Sequence, residues 1–394
     1  MNQPSRASSL RFSALDYGCV AAFLIYSASV VVTPISLVSL ARELGFSLTG
    51  GGGVEGIRAS LIVAALLVSG LVAARWGKVL SVGASSIVLG LGLLAYSFAP
   101  AYGIVLLAAA FVGVGGGIIE ALINPLVQDL HPEDSGRYLN MINAFFSVGI
   151  LSTVLVSGEL LTRGVSWRVV MAGLAVISII TGVAFIAFDR RSPFVRSHRA
   201  VDVLGHKAAI LRHPRFWIFF PMMFLAGGAE AALTFWSASY IQLHFGLLPR
   251  MGAIGTACFA AGMIVGRMGS GWLVPQHRLW HLLFASAVLG TVFTLLVPMM
   301  GSIVPLLVVL FLSGLAIACF WPSIQSYSVD RMPLDSTSLF ILLSCGGMPG
   351  FGAVSLVMGI IGDRHGLNAS LYVIPALLAL LSLLLLIERR WRPH

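Results

Sequence analysis

"GGGIIEALINPLVQDLHPEDSGR", residues 115–137, begins as an apolar run and carries a glutamate, Glu120, within it. The whole chain is similarly apolar, since 58% of its 394 residues are hydrophobic and only 10% are charged. Soluble domains carry about 25% charged residues, whereas a membrane-spanning helix needs roughly 20 mostly apolar residues. The mean hydropathy of +0.96 agrees with a membrane protein. The composition therefore predicts an all-α polytopic membrane protein.

Apolar runs between charged or Pro/Gly-rich breaks predict twelve membrane-spanning helices. We place them near 17–42, 53–75, 79–98, 102–129, 138–162, 167–188, 215–243, 251–274, 279–299, 303–328, 337–361 and 368–388. The longest break is rich in Lys and Arg and lies between the sixth and seventh helices. We therefore expect an N-terminal six-helix bundle over 1–188, a basic cytoplasmic linker over 189–214 and a C-terminal six-helix bundle over 215–394.

The second half of the chain repeats features of the first. "NPLVQDL" at 124–130 aligns with "WPSIQSY" at 321–327, and the proline and the glutamine coincide. The stretches that start at Phe23 and Phe224 align at a similar offset. Parallel repeats about an axis normal to the membrane, with a solute site between them, are typical of the major facilitator architecture. The sequence thus predicts twelve helices in two pseudo-symmetric bundles with this fold.

The positions of the basic residues predict the orientation of the chain. If both termini are cytoplasmic, only six of the 24 Lys and Arg residues remain outside. These six are Arg42, Arg58, Arg163, Arg168, Arg250 and Arg364. Cytoplasmic loops of membrane proteins collect positive charge, so we expect a multi-pass protein of the inner membrane with both termini inside. This bias also accounts for the net charge of +9 without a nucleic-acid partner.

Two acidic residues lie deep in the predicted spans and are the candidates for proton coupling. They are Glu120 in helix four and Glu230 in helix seven. Ionisable residues inside a membrane are costly and usually functional, although a structural hydrogen bond to a neighbouring helix is the alternative for each. Asn124 and Gln128 follow Glu120 at intervals of four and so share its helix face. Such a stripe of carboxyl and amide groups is suited to bind a hydroxyl-rich solute.

Further polar and aromatic residues are candidates for solute binding or gating. The remaining solute-binding candidates are Asn143, Trp236, Gln242, Trp321 and Gln325. Core packing or a position in an interfacial aromatic belt is the alternative for the two tryptophans. "SGLVAARWGK", residues 69–78, and "GRMGSGW", residues 266–272, provide the gating candidates Gly70, Arg75, Gly77, Lys78 and Arg267.

Three charged residues are expected nearer the outer surface. Glu55 and Glu159 lie near the outer ends of their predicted helices, where water reaches them. Arg58, just inside the outer end of helix two, is expected at the membrane interface, with anion binding or pairing to Glu55 as the alternatives.

Several chemical functions are excluded by the sequence. The run of glycines at 50–53 is not followed by the G-K-[ST] of a P-loop. The histidines and the four cysteines show no metal-ligand spacing. We therefore expect no cofactor, no metal and no enzymatic activity.

Three stretches resemble the fucose–galactose–glucose:proton symporter family. "GGGIIEALINPLVQDLHPEDSGRYLNMINAFFSVG" is similar to its helices four and five, and "AGGAEAALTFWSASYI" and "FWPSIQS" to its helices seven and ten. The resemblance implies that Glu120 is the proton-linked carboxyl near the sugar, followed by Asn124 and by Asn143 or Asn140. It also implies a monomer that works with a small-molecule substrate, protons and the lipid bilayer.

The resemblance leaves the transport mode open. Proton-coupled members of that family have an acid in helix one, whereas "YGCVAAFLIYSASVVVTPISLVSLA" contains none. The leading hypothesis is a secondary transporter that takes up a monosaccharide or related polyol with a proton by alternating access. A sugar uniporter, a drug or organic-solute:proton antiporter, and a membrane sensor or lipid-handling protein with the same scaffold are the alternatives.

Overall fold

The computed structural model describes residues 12–131, 135–191, 203–332, 334 and 336–390. The regular elements of this part are all helices. They are α1 (Ala14–Leu44), α2 (Leu48–Trp76), α3 (Lys78–Ser97), α4 (Tyr102–Leu130), α5 (Ser135–Thr162), α6 (Trp167–Arg191), α7 (Val203–Arg212), α8 (Phe216–His244), α9 (Pro249–Leu273), α10 (Leu279–Leu296), α11 (Ile303–Ile317), α12 (Phe320–Arg331), α13 (Ser336–His365), α14 (Leu367–Ser370) and α15 (Val373–Arg390).

Twelve segments of the described part are long and apolar enough to cross a membrane, which confirms the predicted number of spans. The predicted tenth span is divided into α11 and α12, and the twelfth into α14 and α15. The sequence analysis did not predict α7, a short helix within the basic linker. Ile210 of α7 is fully buried in the apolar core formed by the C-terminal helices.

The helices form two bundles, as the fold prediction requires. In the first, α3 packs against α4 and α6, and α1 packs against α5. In the second, α8 packs against α13, α9 against α11, and α10 against α15. Each bundle has its own large apolar core. We call the bundle of α1–α6 the N half and that of α8–α15 the C half, while the exact bounds 1–188, 189–214 and 215–394 stay a prediction.

The two halves meet along three helix pairs, α2 with α13, α5 with α9, and α1 with α8. Polar contacts between the halves lie at the end where α2 and α9 begin, which we call the closed end. There the Asp363 carboxylate accepts the backbone N–H groups of Leu48 at 2.9 Å and Thr49 at 2.8 Å. Arg250 pairs with Glu159 at 2.6 Å across α5 and α9.

At the opposite end of the molecule, ion pairs form within each half. Lys78 pairs with Asp129 at 2.6 Å in the N half. Arg331 contacts Glu388 at 3.0 Å in the C half. These pairs tie neighbouring helices of one bundle together, so they do not resist a separation of the halves at this end.

Helix α1 is longer than predicted and does contain acidic residues. It begins at Ala14, and Asp16 in its first turn is fully buried. Asp16 forms a capping box with Ser13 and bonds to His131 Nε2 at 2.8 Å. The prediction that helix one has no acid is therefore wrong for its first turn, and Glu43 lies in its last turn. Both acids lie in the terminal turns of α1, so the interior of this helix has no carboxyl group.

Candidate functional site

Close packing fixes the position of the middle of α4. A Cβ atom on Gly113 would lie 2.5 Å from the backbone oxygen of Arg58, and one on Gly116 would lie 2.7 Å from the Tyr26 ring. Side chains at these positions would force the helices apart, so the glycines allow α4 to contact α2 and α1 directly. Glu120 follows one turn later on α4.

Glu120 lies next to the seam, the surface along which the two halves face each other. It is half-buried. The next residue, Ala121, packs with Trp321 of the C half in a small apolar cluster. That cluster centres on Ile62, Leu66 and Met348. Among the described residues, none forms a hydrogen bond or an ion pair with the Glu120 carboxylate. Within the described part of the chain, Glu120 is thus an acid without a partner in a largely apolar environment, where an uncompensated charge is costly.

A buried ion pair lies near Glu120 in the N half. Glu55 and Arg58 are only 3% and 4% exposed, and Arg58 Nε donates to Glu55 Oε2 at 2.9 Å. Tyr26 is within electrostatic reach of this pair and of Glu120. The expectation that water reaches Glu55 is therefore wrong. The expectation that Arg58 lies at the membrane interface is also wrong, because Arg58 is buried and the structure shows its pairing with Glu55, one of the alternatives.

The predicted polar stripe on α4 extends from the seam towards the opposite end. Asn124 is half-buried, as is Glu120, and Gln128 is exposed. The helical spacing thus places the three groups at increasing distance from the closed end, along one face. Asn143, the candidate on α5, lies within that helix, but its side chain is outside the described part.

Helix α12 brings two candidates from the C half. Trp321 is half-buried, and a Cβ atom on Gly347 of α13 would lie 2.5 Å from its ring. Gln325 is half-buried as well, and its amide donates to Ser344 Oγ at 3.1 Å. Trp321 reaches the apolar cluster beside Glu120, so the structure brings these two predicted residues to the same part of the seam.

The two candidates on α8 are buried in this conformation. Trp236 is fully buried in the apolar core of the C half, with its ring 5.0 Å from that of Phe235. Its Nε1–H has no hydrogen-bond acceptor among the described residues. Gln242 is 9% exposed, and its amide donates to the Ala238 carbonyl of the same helix at 3.3 Å. The structure therefore does not bring either side chain to the Glu120 region.

Glu230, the second candidate for proton coupling, has a partner. Arg267 donates to Glu230 Oε1 at 3.0 Å, and its Nε donates to the Ala318 carbonyl at 3.3 Å. The side chains of Glu230 and Arg267 are 19% and 35% exposed. A residue predicted for coupling and one predicted for gating thus form one ion pair that joins α8, α9 and the break between α11 and α12.

The other gating candidates lie around the junction of α2 and α3. Gly70 and Arg75 are exposed, and a Cβ atom on Gly70 would meet nothing within 4 Å. Gly77 separates the two helices with φ of 82°, a conformation that other residues rarely adopt. Lys78 begins α3 and pairs with Asp129 of α4. This junction links three helices of the N half at the opposite end.

Two groups of interest were missed by the sequence analysis. Tyr26 contacts α4 beside the candidate site, and Asp363 bridges the halves at the closed end. A tyrosine within an apolar span and a lone acid near a span terminus were the available signals, but neither indicates a partner without the fold.

Comparison with family models identifies the superfamily to which the chain belongs. The model of the Major Facilitator Superfamily matches residues 18–341. The chain belongs to this superfamily. It is therefore a multi-pass membrane transporter of small molecules and not an enzyme.

Similar members of the superfamily differ in what they carry. The chain is 24% identical to the L-fucose-proton symporter of Escherichia coli (strain K12) over 314 residues, which are 70% of this chain and 69% of that protein. It is 22% identical to the nitrite extrusion protein of Bacillus subtilis (strain 168) over 289 residues, which are 72% of this chain and 70% of that protein. The nucleoside transporter NupG has a similar structure, with a TM-score of 0.78, 14% identity and coverage of 95% of this chain and 99% of that one.

Proposed function

We propose that this transporter carries a monosaccharide or related polyol together with a proton, which binds to Glu120. The observation that carries the proposal is the Glu120 carboxylate, which is half-buried beside the seam, one turn before Asn124, and has no hydrogen-bond or ion-pair partner among the described residues. Protonation removes the cost of holding a charge in this apolar region. Amide and carboxyl groups on one helix face suit the hydroxyl groups of a sugar.

Coupling follows from the position of Glu120 between the halves. With its carboxyl protonated and solute bound, the seam contains no net uncompensated charge and the halves can rock to the alternate state. When Glu120 then loses its proton to water, a charge is left in the apolar region between the halves, and the contact between the halves is weakened there. A ligand shifts such an equilibrium only through its different affinity for the two states, and the proton has that difference at Glu120.

We infer that the opposite end faces the cytoplasm. The positive-inside bias of the sequence supports this orientation. The polar contacts between halves at the closed end would then seal the outer side, and the structure would correspond to an inward-facing state. Both termini would lie in the cytoplasm, and the membrane would be the inner membrane.

The charges inside the protein suit a neutral solute better than an anion. The interior arginines Arg58 and Arg267 each have a carboxylate partner, Glu55 and Glu230. Neither therefore offers an uncompensated positive charge for an anion. The similarity to the nitrite extrusion protein supports anion extrusion as a second candidate, in which one of these arginines would have to exchange its partner for the substrate.

The test is transport in proteoliposomes that contain a pH-sensitive dye and are challenged with a panel of monosaccharides. We compare wild type, Glu120→Gln, and Glu43→Gln as a matched control, because Glu43 undergoes the same chemical change at the closed end of α1. The expected result is sugar-driven inward proton movement in wild type and Glu43→Gln. In Glu120→Gln, proton movement is lost while a sugar-induced rise in Tm persists.

Other outcomes would change specific parts of the proposal. Sugar entry without proton movement in wild type would make the protein a uniporter and Glu120 a binding or structural group. Failure of every sugar to move, with flux of nitrite or another small anion, would replace the substrate class and favour extrusion.

A further inference from the structure

A basic pocket lies at the opposite end of the C half, away from the seam. It is formed by the ends of α10, α12 and α15 and has a volume of about 300 Å³. Residues that line it include Gln276, His277, Trp280, His281, Arg331 and Arg389. None of these residues belongs to the proposed solute site, so the pocket has no role in the function described above.

Arg389 is the exposed cation of this pocket. Its guanidinium lies 4.0 Å from the centroid of the Trp280 ring, which holds it over the pocket. Among the described residues, no carboxylate pairs with Arg389. Arg278 and Arg390 are exposed nearby in the chain. The guanidinium is therefore positioned by a cation–π contact and is available for an external anion.

The acids near the pocket already have partners. Glu388 is buried, accepts a hydrogen bond from Tyr327 Oη at 2.6 Å and contacts Arg331 at 3.0 Å. Asp330 itself lines the pocket, and its carboxylate accepts from the Gln276 amide at 2.9 Å. The charges of Arg331 and Glu388 compensate each other, and Asp330 offsets a second positive charge. With Arg278 and Arg390 exposed beside Arg389, the basic residues of this region still exceed the acids by two.

The location of the pocket points to lipid. The flanking helices α10 and α15 expose apolar side chains over their length, which is typical of surfaces in contact with acyl chains. These side chains include Val288, Leu289, Val292, Leu380, Leu383 and Ile387. The pocket lies where both helices terminate in polar and basic residues. A lipid seated against this surface would place its headgroup in the pocket.

We propose that the pocket binds the phosphate of an anionic phospholipid headgroup, with Arg389 and His281 as its ligands. A guanidinium matches the planar oxygen pairs of a phosphate, and basic pockets between transmembrane helices recognise anionic headgroups. Trp280 positions Arg389 through its ring and is itself fixed, because its Nε1–H donates to the Leu385 carbonyl at 3.1 Å.

Native mass spectrometry of the detergent-purified full chain tests this site. Phosphatidylglycerol and phosphatidylcholine with the same acyl chains are added separately to wild type, Arg389→Gln, Arg389→Lys and Arg212→Gln. Each basic residue near a membrane surface contributes about 1 kcal/mol of attraction to anionic lipid, which corresponds to about fivefold in affinity. We expect phosphatidylglycerol binding to fall about fivefold in Arg389→Gln and to persist largely in Arg389→Lys.

Arg212→Gln is the matched control, because Arg212 is an exposed arginine outside the pocket, in α7. It should bind phosphatidylglycerol as wild type does. Unchanged elution volume and Tm show that the variants are folded. Equal binding of the two lipids by wild type, or undiminished phosphatidylglycerol binding by Arg389→Gln, would overturn the proposal.

Competition with inorganic phosphate identifies the source of the anion. If millimolar phosphate leaves the lipid bound, the site requires a membrane-anchored headgroup, as proposed. If phosphate displaces the lipid from wild type and binds more weakly to Arg389→Gln, the phosphate recognition stands and a soluble phosphate shares the site.

Discussion

Three carboxylates within the membrane-spanning helices differ in their interaction partners. They are Glu55, Glu120 and Glu230. Glu55 shares α2 with its partner Arg58, and Glu230 is held by Arg267 from the next helix. Glu120 has no such partner in the described part of the chain. The paired acids carry compensated charge and contribute to structure, whereas an unpaired acid at the seam is able to change its charge during a transport cycle.

The buried pair in α2 gives a prediction about stability. Glu55→Gln leaves the Arg58 guanidinium buried without its counter-charge. Removing one partner of a buried pair costs about 3 kcal/mol or more. We therefore expect a marked fall in the Tm of Glu55→Gln in detergent, measured by differential scanning fluorimetry.

Two variants serve as controls for this prediction. Glu43→Gln changes a carboxylate that is 46% exposed and pairs with Arg168, so it should lower the Tm only slightly. The double variant Glu55→Gln/Arg58→Met should be more stable than Glu55→Gln, because it removes the stranded charge. A wild-type Tm for Glu55→Gln would contradict the structural role of the pair.

Residue pairing was the part of the site that the sequence predicted least well. Glu120 and Glu230 were recognised as deep acids because they interrupt apolar runs. Their different roles depend on Arg267, which is remote in the chain from Glu230 and meets it only when α8 and α9 pack. The Glu55–Arg58 pair is separated by one helical turn and was considered, but burial on the interior face of α2 required the fold.

At the scale of elements, α2 and α13 pack closely against each other across the two halves. A Cβ atom on Gly52 would lie 2.5 Å from the Ser355 backbone oxygen, and one on Gly359 would lie 2.5 Å from the Leu48 oxygen. Asp363 caps the first turn of α2 from the other half. An N-cap interaction normally stabilises one helix, whereas this one also stabilises the closed end.

Asp363→Ala should shift the protein towards a state that is separated at the closed end. The variant loses both acceptors for the N–H groups of Leu48 and Thr49, and a cap contributes about 1 kcal/mol. The expected shift in the population ratio is about fivefold. Double electron–electron resonance between labels at Arg42 and Arg364, with the native cysteines replaced by alanine, measures it as a growing long-distance population.

Ser47→Ala provides the matched control for Asp363→Ala. Ser47 caps the same helix from its own half, through a bond from the Gly50 N–H at 3.4 Å. Its side chain also forms a hydrogen bond with Asp363. Ser47→Ala therefore weakens the bridge but keeps the bonds from the Leu48 and Thr49 N–H groups, so the long-distance population should grow much less than in Asp363→Ala. Equal shifts in both variants would mean that helix fraying, and not loss of the bridge, opens this end.

Gly52→Ala should open the same contact by steric pressure. Its added methyl group would overlap backbone atoms of Ser355 and Leu356 in α13, which cannot move independently of their helix. Gly56→Ala, one turn later, is the control, because its Cβ atom would lie 3.8 Å from the Gly352 oxygen, at ordinary contact distance. The same resonance measurement should show a long-distance population for Gly52→Ala and none for Gly56→Ala.

The elements themselves were largely predictable because hydrophobic length is a strong signal. The sequence analysis placed all twelve spans but missed α7, since ten residues with several polar groups do not resemble a span. It also missed the break after Ile317, where the apolar run continues without a charge to mark it. That break leaves the Ala318 carbonyl near Arg267, which only the packed structure reveals.

At the scale of the molecule, the described residues form two separate polar links across the closed end, and each joins a different helix pair. Asp363 joins α13 to α2, and Arg250 joins α9 to α5 through Glu159 and the Thr162 hydroxyl. If the halves rock as rigid bodies, both links must break in the same transition. Their effects on one two-state equilibrium should then be additive in free energy, because they share no residues.

The combined variant Asp363→Ala/Arg250→Ala tests whether the halves move as units. Arg250 and Glu159 are partly exposed, so their pair contributes less than 1 kcal/mol, and Arg250→Ala alone should shift the population ratio about twofold. With about fivefold for Asp363→Ala, rigid-body motion predicts about tenfold for the double variant. The resonance labels at Arg42 and Arg364 lie beside the first link, yet they should report the loss of the second. If Arg250→Ala leaves that distance unchanged in both backgrounds, the two helix pairs open independently. Alternating access in this protein would then proceed through local gates and not through a rocking of whole bundles.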